Sequence, residues 1–243
     1  MTDKVRLDVL LVERGLAPSQ EKAQALIMAG QVLVGEDVAD KPGRLVPHDV
    51  EVRVAEPLPY VSRGGFKLAH ALDSFGLSVA GLAALDVGAS TGGFTDCMLQ
   101  RGASRVYALD VGYGQLDYRL RTDKRVVVME RVNAHYPFTL PEKVGLATVD
   151  VSFISVLKVL PNVIPWVVPG GSLIVLIKPQ FEAGRGQVGK GGIVRDPKVH
   201  AQVLTRVLLW AIDQRLSLGG LVPSPILGTE GNREFLLWLV NVD

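Results

Sequence analysis

Residues 84–96 read ALDVGASTGGFTD: an apolar run, a cluster of glycines, then at once a helix-forming segment. A strand that turns through glycine directly into a helix is the opening unit of a parallel α/β sheet, and it places a ligand site at the strand's carboxyl end. The glycines, Gly88, Gly92 and Gly93, are spaced G-x-x-x-G-G rather than G-x-G-x-x-G. The dinucleotide pyrophosphate fingerprint is therefore off register. A tight turn with no ligand is the plainer alternative, because a glycine-rich turn alone is a weak signal.

The next apolar run, Arg105–Val111, carries Asp110, twenty-two residues beyond Gly88. An acid at that distance accepts two hydrogen bonds from a ribose diol. Ribose recognition without a pyrophosphate site suggests S-adenosylmethionine. Its amino-acid end would lie by the loop, where glycine permits close backbone approach and the helix N-terminus favours an anionic group. Asp86, Gly88, Ser90, Gly92, Gly93, Phe94, Asp110 and Asp150 are the candidate contacts, with Asn133 beside the adenine.

The alternation continues along the chain. Strands are predicted at Leu82–Val87, Arg105–Val111, Arg125–Met129, Leu146–Val151, Gly171–Ile177 and Glu234–Val242. Helices are predicted at Gly93–Arg101, around Ile154–Val163 and at Asp196–Arg215, the last with Asp196 as N-cap and Pro197 at its first position. This order argues an α/β fold with a doubly wound, mostly parallel sheet. Residues 1–55 differ: helices at Leu7–Arg14 and Ser19–Ala29, then short strands at Gln31–Val34 and Val50–Val54. The expected organisation is a small α+β domain over 1–56, a proline-bearing linker at 57–61 and the α/β domain over 62–243.

Composition excludes little. Of 243 residues 48% are hydrophobic, but no run approaches the roughly 18–20 apolar residues that span a bilayer. The first residues lack the features of a secretory signal. The single cysteine, Cys97, suggests a reduced, cytoplasmic setting and is expected to pack as a small hydrophobe. The net charge is +1, split as 7 Lys/Arg against 10 Asp/Glu before residue 60 and 19 against 15 after it. A nucleic-acid partner must be argued from placed residues, not from bulk charge.

Several charges stand where apolar runs end. LIVLI closes on Lys178 and LATV on Asp150; Glu234 opens the last run, and Lys67 follows SRGGF. Neighbouring strand ends converge on the ligand crevice of such a sheet, so Asp150 and Lys178 can meet there. The stretch after Lys178, Phe181 to Asp196, holds five glycines with Arg185, Lys190 and Arg195, and suggests a mobile basic flap.

The motifs SRGGFKL, DVGASTGGFTD, DVGYGQL, VDVSFIS, IKPQFE and GNREFLLWL together resemble the TlyA family of ribosomal RNA 2′-O-methyltransferases, and this resemblance implies an FtsJ-like domain with the Rossmann-like S-adenosylmethionine-dependent methyltransferase fold. RLDVLLVERGLAPSQEKAQALIMAGQVLV resembles that family's S4-like RNA-binding domain. The resemblance implies a K-D-K-E catalytic set at Lys67, Asp150, Lys178 and Glu234, Glu234 being preferred to Glu230 because it directly precedes the apolar strand. It also implies S-adenosylmethionine as methyl donor and ribosomal RNA as partner. RNA contacts are expected from Lys4, Arg6, Arg14, Lys22, Lys41, Arg44, Arg63, Arg185 and Lys190. Two positions depart from the S4-like pattern: Gln20 stands in place of an arginine, and Gly35 alone in place of Asn-Gly. Short termini resemble the branch that modifies only a large-subunit cytidine. Some family members carry a haemolysin label, so a membrane-active protein is one competing expectation; a non-catalytic ribosome-assembly factor is another.

Overall fold

A computed structural model describes residues 4–28, 30–35, 37–39, 41–54, 59–184, 186–228 and 230–242. The chain divides into two compact units, Met1–Pro59 and Tyr60–Asp243.

The first unit runs β1 (Lys4–Arg6), α1 (Leu7–Glu13), α2 (Gln20–Met28), β2 (Val32–Val34), β3 (Asp37–Val38), β4 (Leu45–Pro47) and β5 (Val52–Val54). Leu7, Leu10 and Leu11 of α1 meet Ala23 and Ile27 of α2 in its core. Ser19 caps α2 by accepting the Lys22 N–H at 3.3 Å. The strands β1, β3 and β4 escaped the sequence reading because pieces of two or three residues hold too little alternation to register.

The second unit continues with α3 (Gly64–Phe75), β6 (Ala83–Val87), α4 (Gly93–Gln100), β7 (Arg105–Asp110), α5 (Tyr118–Arg121), β8 (Val126–Glu130) and β9 (Val144–Val149). A 3₁₀ turn at Val156–Lys158, α6 (Leu160–Val163), β10 (Val167–Ile177), α7 (Pro179–Glu182), α8 (Pro197–Asp213), β11 (Leu216–Pro223) and β12 (Phe235–Asn241) complete it. The seven strands lie in the order β11-β12-β10-β9-β6-β7-β8. The pairs from β8 to β10 are parallel, while β12 runs antiparallel to both β10 and β11. The chain leaves β6 toward β7 on one side and later returns to β9 on the other, so the crevice of the sheet opens between β6 and β9.

Both faces are covered, and successive strand residues alternate between them. Ile174, Leu176 and Leu236 pack with Leu68 and Leu72 of α3 and Met98 of α4. Val175, Ile177 and Leu237 pack with Val199, Val203, Val207 and Ala211 of α8. Asp196 caps α8 as expected, accepting the Lys198 N–H at 2.8 Å. Burial on both faces is why the middle strands read as unbroken apolar runs.

β11 was not expected. Its sequence, LSLGGLVP, is half exposed and interrupted by two glycines, which weaken a strand signal. The glycines answer to packing: register shifts between Leu218 and Gly220, and a Cβ on Gly219 would lie 2.2 Å from the Trp238 ring. Replacing Gly219 with valine should lower stability by about 1–3 kcal/mol through overpacking. Urea unfolding should detect that loss, with cofactor affinity unchanged because the site lies at other strands.

Candidate active site

The crevice at the carboxyl ends of β6, β7 and β9 holds a cavity of about 590 Å³, within the usual size of small-molecule sites. Gly88, Ser90, Asp110, Asn133 and Asp150, all singled out from the sequence, line it. Gln115, His135, Ser152 and Phe153 line it as well. Gly88 has φ of +85°, and a Cβ there would lie 2.3 Å from the Asp150 carbonyl oxygen, so only glycine fits between the β6 loop and the end of β9. Ser90 also sits in the left-handed region, φ 49°. The Asp110 carboxylate accepts the Ser90 N–H at 2.8 Å and the Gly112 N–H at 2.7 Å. Those bonds fix its aim while leaving each oxygen further acceptor capacity.

Four expected cofactor residues lie outside the cavity lining. Asp86 is fully buried beneath the loop, where it accepts the hydroxyls of Thr95 at 2.7 Å and Thr148 at 2.9 Å. Gly92 and Gly93 make room for neighbours: an added Cβ would meet Leu120 and Ser62, each at 2.2 Å. Phe94 is a core residue, 3% exposed. These four shape the loop from behind and below. Cys97 is likewise core, and burial pushes its thiol up to about 11.

Beside the cavity, sheet register gathers the charges. Ile177 pairs with Phe235 across antiparallel strands, so the next residues out, Lys178 and Glu234, leave the sheet at the same end. Lys178 Nζ lies 2.7 Å from Asp150 Oδ1 and donates to Ser152 Oγ at 2.9 Å. Lys67, in the first turns of α3, reaches Glu234 Oε2 at 2.6 Å. Glu234 is 3% exposed, whereas Glu230 is exposed. Each lysine thus faces one carboxylate, and the four side chains balance in charge. Pro179 does more than end β10: it is the first residue of α7, with Lys178 as N-cap.

Sequence reasoning missed Ser152 and Phe153. Phe153 is 91% exposed at φ 64°, its ring 5.0 Å from that of Phe181. Inside VDVSFIS it looks like one more core residue; the signal was its place just past a strand end that already carried Asp150.

The expected RNA contacts fall into two groups. Arg6 is bound to the buried Asp8 by two hydrogen bonds, 3.0 and 2.7 Å. Arg14 donates to the Val50 and His48 carbonyls. Gln20 and Gln24 also donate to Asp8, which gives Gln20 a structural task. Hydrogen bonding to Arg6 holds the Asp8 carboxyl well below the usual range, with Gln24 and Gln20 adding to it against the effect of burial. Lys4, Lys22, Lys41, Arg44 and Lys190 are exposed, and Arg63, also exposed, donates to the Leu227 carbonyl. Arg185 lies outside the described residues. The glycine-rich stretch is tied at its far end, where Asn232 accepts the Val194 N–H and donates to the Gly192 carbonyl, both at 2.9 Å.

The cavity fits S-adenosylmethionine in its chemistry. It offers an acid for a ribose diol, a glycine-lined approach, and the buried His135 Nδ1, which has no partner among the described residues. Fold and cavity together define an S-adenosylmethionine-dependent methyltransferase. The FtsJ-like methyltransferase model matches residues 60–241 and the S4 domain model residues 5–52. The chain is 54% identical over 240 residues to YqxC of Bacillus subtilis, provisionally described as an rRNA methyltransferase (97% of this chain, 85% of that one). It is 44% identical over 243 residues to the 16S/23S rRNA (cytidine-2′-O)-methyltransferase TlyA of Mycobacterium tuberculosis (98% and 91%). A solved structure from Streptococcus thermophilus, provisionally labelled a hemolysin, superposes with a TM-score of 0.77 at 45% identity, covering 100% of this chain and 90% of that one. The N-methyltransferase NodS from Bradyrhizobium japonicum, solved with S-adenosyl-L-homocysteine, shares the fold at a TM-score of 0.52 and 16% identity, covering 74% and 86%. The chain belongs to the TlyA family, an FtsJ-like methyltransferase domain preceded by an S4 domain.

Asp86 gives the site's floor a pH dependence. Burial pushes its carboxyl up to about 6, although the Thr95 and Thr148 hydroxyls pull it back and the Asp150 charge adds to the rise. A folded-state value above the unfolded one, near 3.9, means that the folded chain holds this proton more tightly. Its stabilising contribution is complete at low pH and is lost as pH rises through about 6. Between about pH 4.5 and about pH 7.5, wild type should therefore lose roughly 2 kcal/mol more unfolding free energy than Asp86→Asn. Urea titrations of both proteins at the two pH values measure the difference.

Proposed function

We propose that this chain transfers a methyl group to the 2′-hydroxyl of a cytidine in ribosomal RNA, with the large subunit as its main substrate, in the cytoplasm. The observation that carries the reading is the pairing of Lys178 with Asp150 and of Lys67 with Glu234 at one end of the sheet, against the cofactor cavity. S-adenosylmethionine, when bound, supplies a methyl group on a positively charged sulfur. The protein's work is then to position a hydroxyl and manage one proton.

In this reading Lys178 holds the attacking 2′-oxygen, either taking its proton or steadying its developing charge. Asp150 and Ser152 aim Lys178, and the Lys67–Glu234 pair holds the next strand end. Asp110 takes the ribose of the cofactor, with Gly88 and Ser90 at its amino-acid end and Asn133 and His135 by the base. The exposed Phe153 ring gives a nucleobase a surface on which to stack once its nucleotide has left the RNA helix; alanine substitutions value such stacking at ~1–3 kcal/mol. Lys4, Lys22, Lys41, Arg44, Arg63, Arg185 and Lys190 supply candidate phosphate contacts. Arg6 and Arg14 contribute through what their internal bonds leave unused.

Among the described residues no helix is long and apolar enough to cross a membrane.

Incubating the purified protein with labelled S-adenosylmethionine and isolated small subunits, large subunits or whole ribosomes tests the proposal. Ribose methylation should map to a cytidine of large-subunit RNA. Lys178→Ala should lose methyl transfer by at least about a hundredfold while binding the cofactor normally. Near-normal turnover by that variant would remove Lys178 from the reaction, and absence of transfer to every ribosomal substrate by wild type would overturn the reading.

A further inference from the structure

Glu182 is a charged residue inside the protein, 4% exposed, close to the site but outside the set already described. It is the last residue of α7, the one-turn helix that begins immediately after Lys178. Its carboxylate does not face the cavity. Oε2 accepts the Ser155 hydroxyl at 2.7 Å, and Oε1 accepts the Val156 N–H at 2.7 Å. Arg206, from α8, reaches Oε2 at 3.3 Å and also donates to the Glu182 carbonyl oxygen. Ser155 in turn caps the 3₁₀ turn, accepting the Leu157 N–H at 3.2 Å.

Consider what those bonds join. Residues 150–155 are a short connection without regular structure, and they carry Asp150, Ser152 and Phe153. One end is fixed by the Asp150 N–H on the Val87 carbonyl at 2.9 Å. The other end is fixed by Glu182. Lys178, the partner of Asp150 and Ser152, starts the very turn that Glu182 finishes. One buried carboxylate therefore sets the spacing between the segment that carries the acid and the segment that carries the lysine. A buried carboxylate is costly unless its hydrogen bonds are filled, and here three donors converge on it.

We propose that Glu182 is a positioning residue for methyl transfer. It locks the loop 150–155 to α7, so that Asp150 and Ser152 hold Lys178 at the geometry that the reaction needs. The proposal rests on the methyltransferase reading above. Misplacement of reacting groups by an ångström costs on the order of a hundredfold in rate, so a loosened clamp should show in turnover before it shows in cofactor binding. Gly88, Ser90 and Asp110 make no contact with Glu182 and should keep the cofactor's affinity.

Glu182→Gln is the informative variant. It keeps size and one acceptor but turns the other oxygen into a donor, facing either the Val156 N–H or the Ser155 hydroxyl. At saturating cofactor its kcat should fall about tenfold or more, with the Kd for S-adenosylmethionine within about threefold of wild type. Ser155→Ala should shift kcat the same way by less. Arg206→Gln, which removes the outer partner and keeps the Ser155 and Val156 bonds, should lower Tm and reduce kcat by less than Glu182→Gln does. Amide hydrogen exchange over residues 150–157 should quicken more in Glu182→Gln than in Arg206→Gln. A kcat equal to wild type, or one reduced only in step with the unfolded fraction, would overturn the positioning role while leaving the methyltransferase reading in place. Should wild type transfer no methyl group at all, exchange over 150–157 still decides the clamp: protection equal to wild type in Glu182→Gln would overturn it.

Discussion

The site depends on one constraint: β10 is buried on both faces. Leu173 through Ile177 have no exposed surface, so no charge can stand within that run without losing its hydration. The first place that a cation can emerge is the strand's end, and Lys178 emerges there. β9 and β12 flank β10 and obey the same rule, with Asp150 after the last residue of one and Glu234 before the first of the other. Opposite strand directions bring a strand's finish and another's start to a single edge. The charged group is thus a product of strand burial and register together.

The loop after β6 solves a different problem. It must turn sharply, pack against α3 and leave its outer surface open. Gly88, Gly92 and Gly93 each remove a side chain that would collide with a different neighbour: the Asp150 backbone, Leu120 and Ser62. Beneath them Asp86 spends its carboxylate on two threonine hydroxyls from α4 and β9. Those internal hydrogen bonds occupy Asp86 beneath the loop, and Asp110 and Asp150 are the acids that line the cavity.

Much of this was legible in the sequence, for identifiable reasons. Strands buried on both faces appear as apolar runs, and charges that interrupt the ends of such runs stand out, which is how Lys178, Asp150 and Glu234 could be named. The long α8 announced itself through its cap and the spacing of Val199, Val203, Val207 and Ala211. Where side-chain pattern was weak, the reading failed. β11 hid behind Gly219 and Gly220, whose reason is the Trp238 ring on the neighbouring strand. Phe153 hid because an exposed aromatic has the same letter as a buried one. Gly92, Gly93 and Phe94 share a motif with Gly88 but sit behind the cavity lining, a difference in depth that the letters of the motif do not carry. Gln20, which departs from the S4-like pattern, is explained only by Asp8, twelve positions away.

Cys97 has a consequence outside catalysis. Its side chain is fully buried on α4, and that burial raises its thiol pKa. The folded chain therefore offers a thiol reagent no exposed cysteine. One cysteine placed on an exposed position, Lys190 in the glycine-rich stretch or Lys22 in the first unit, would then be the single labelled point on the molecule. A fluorophore there would report on that position alone, with no background from the native thiol to subtract.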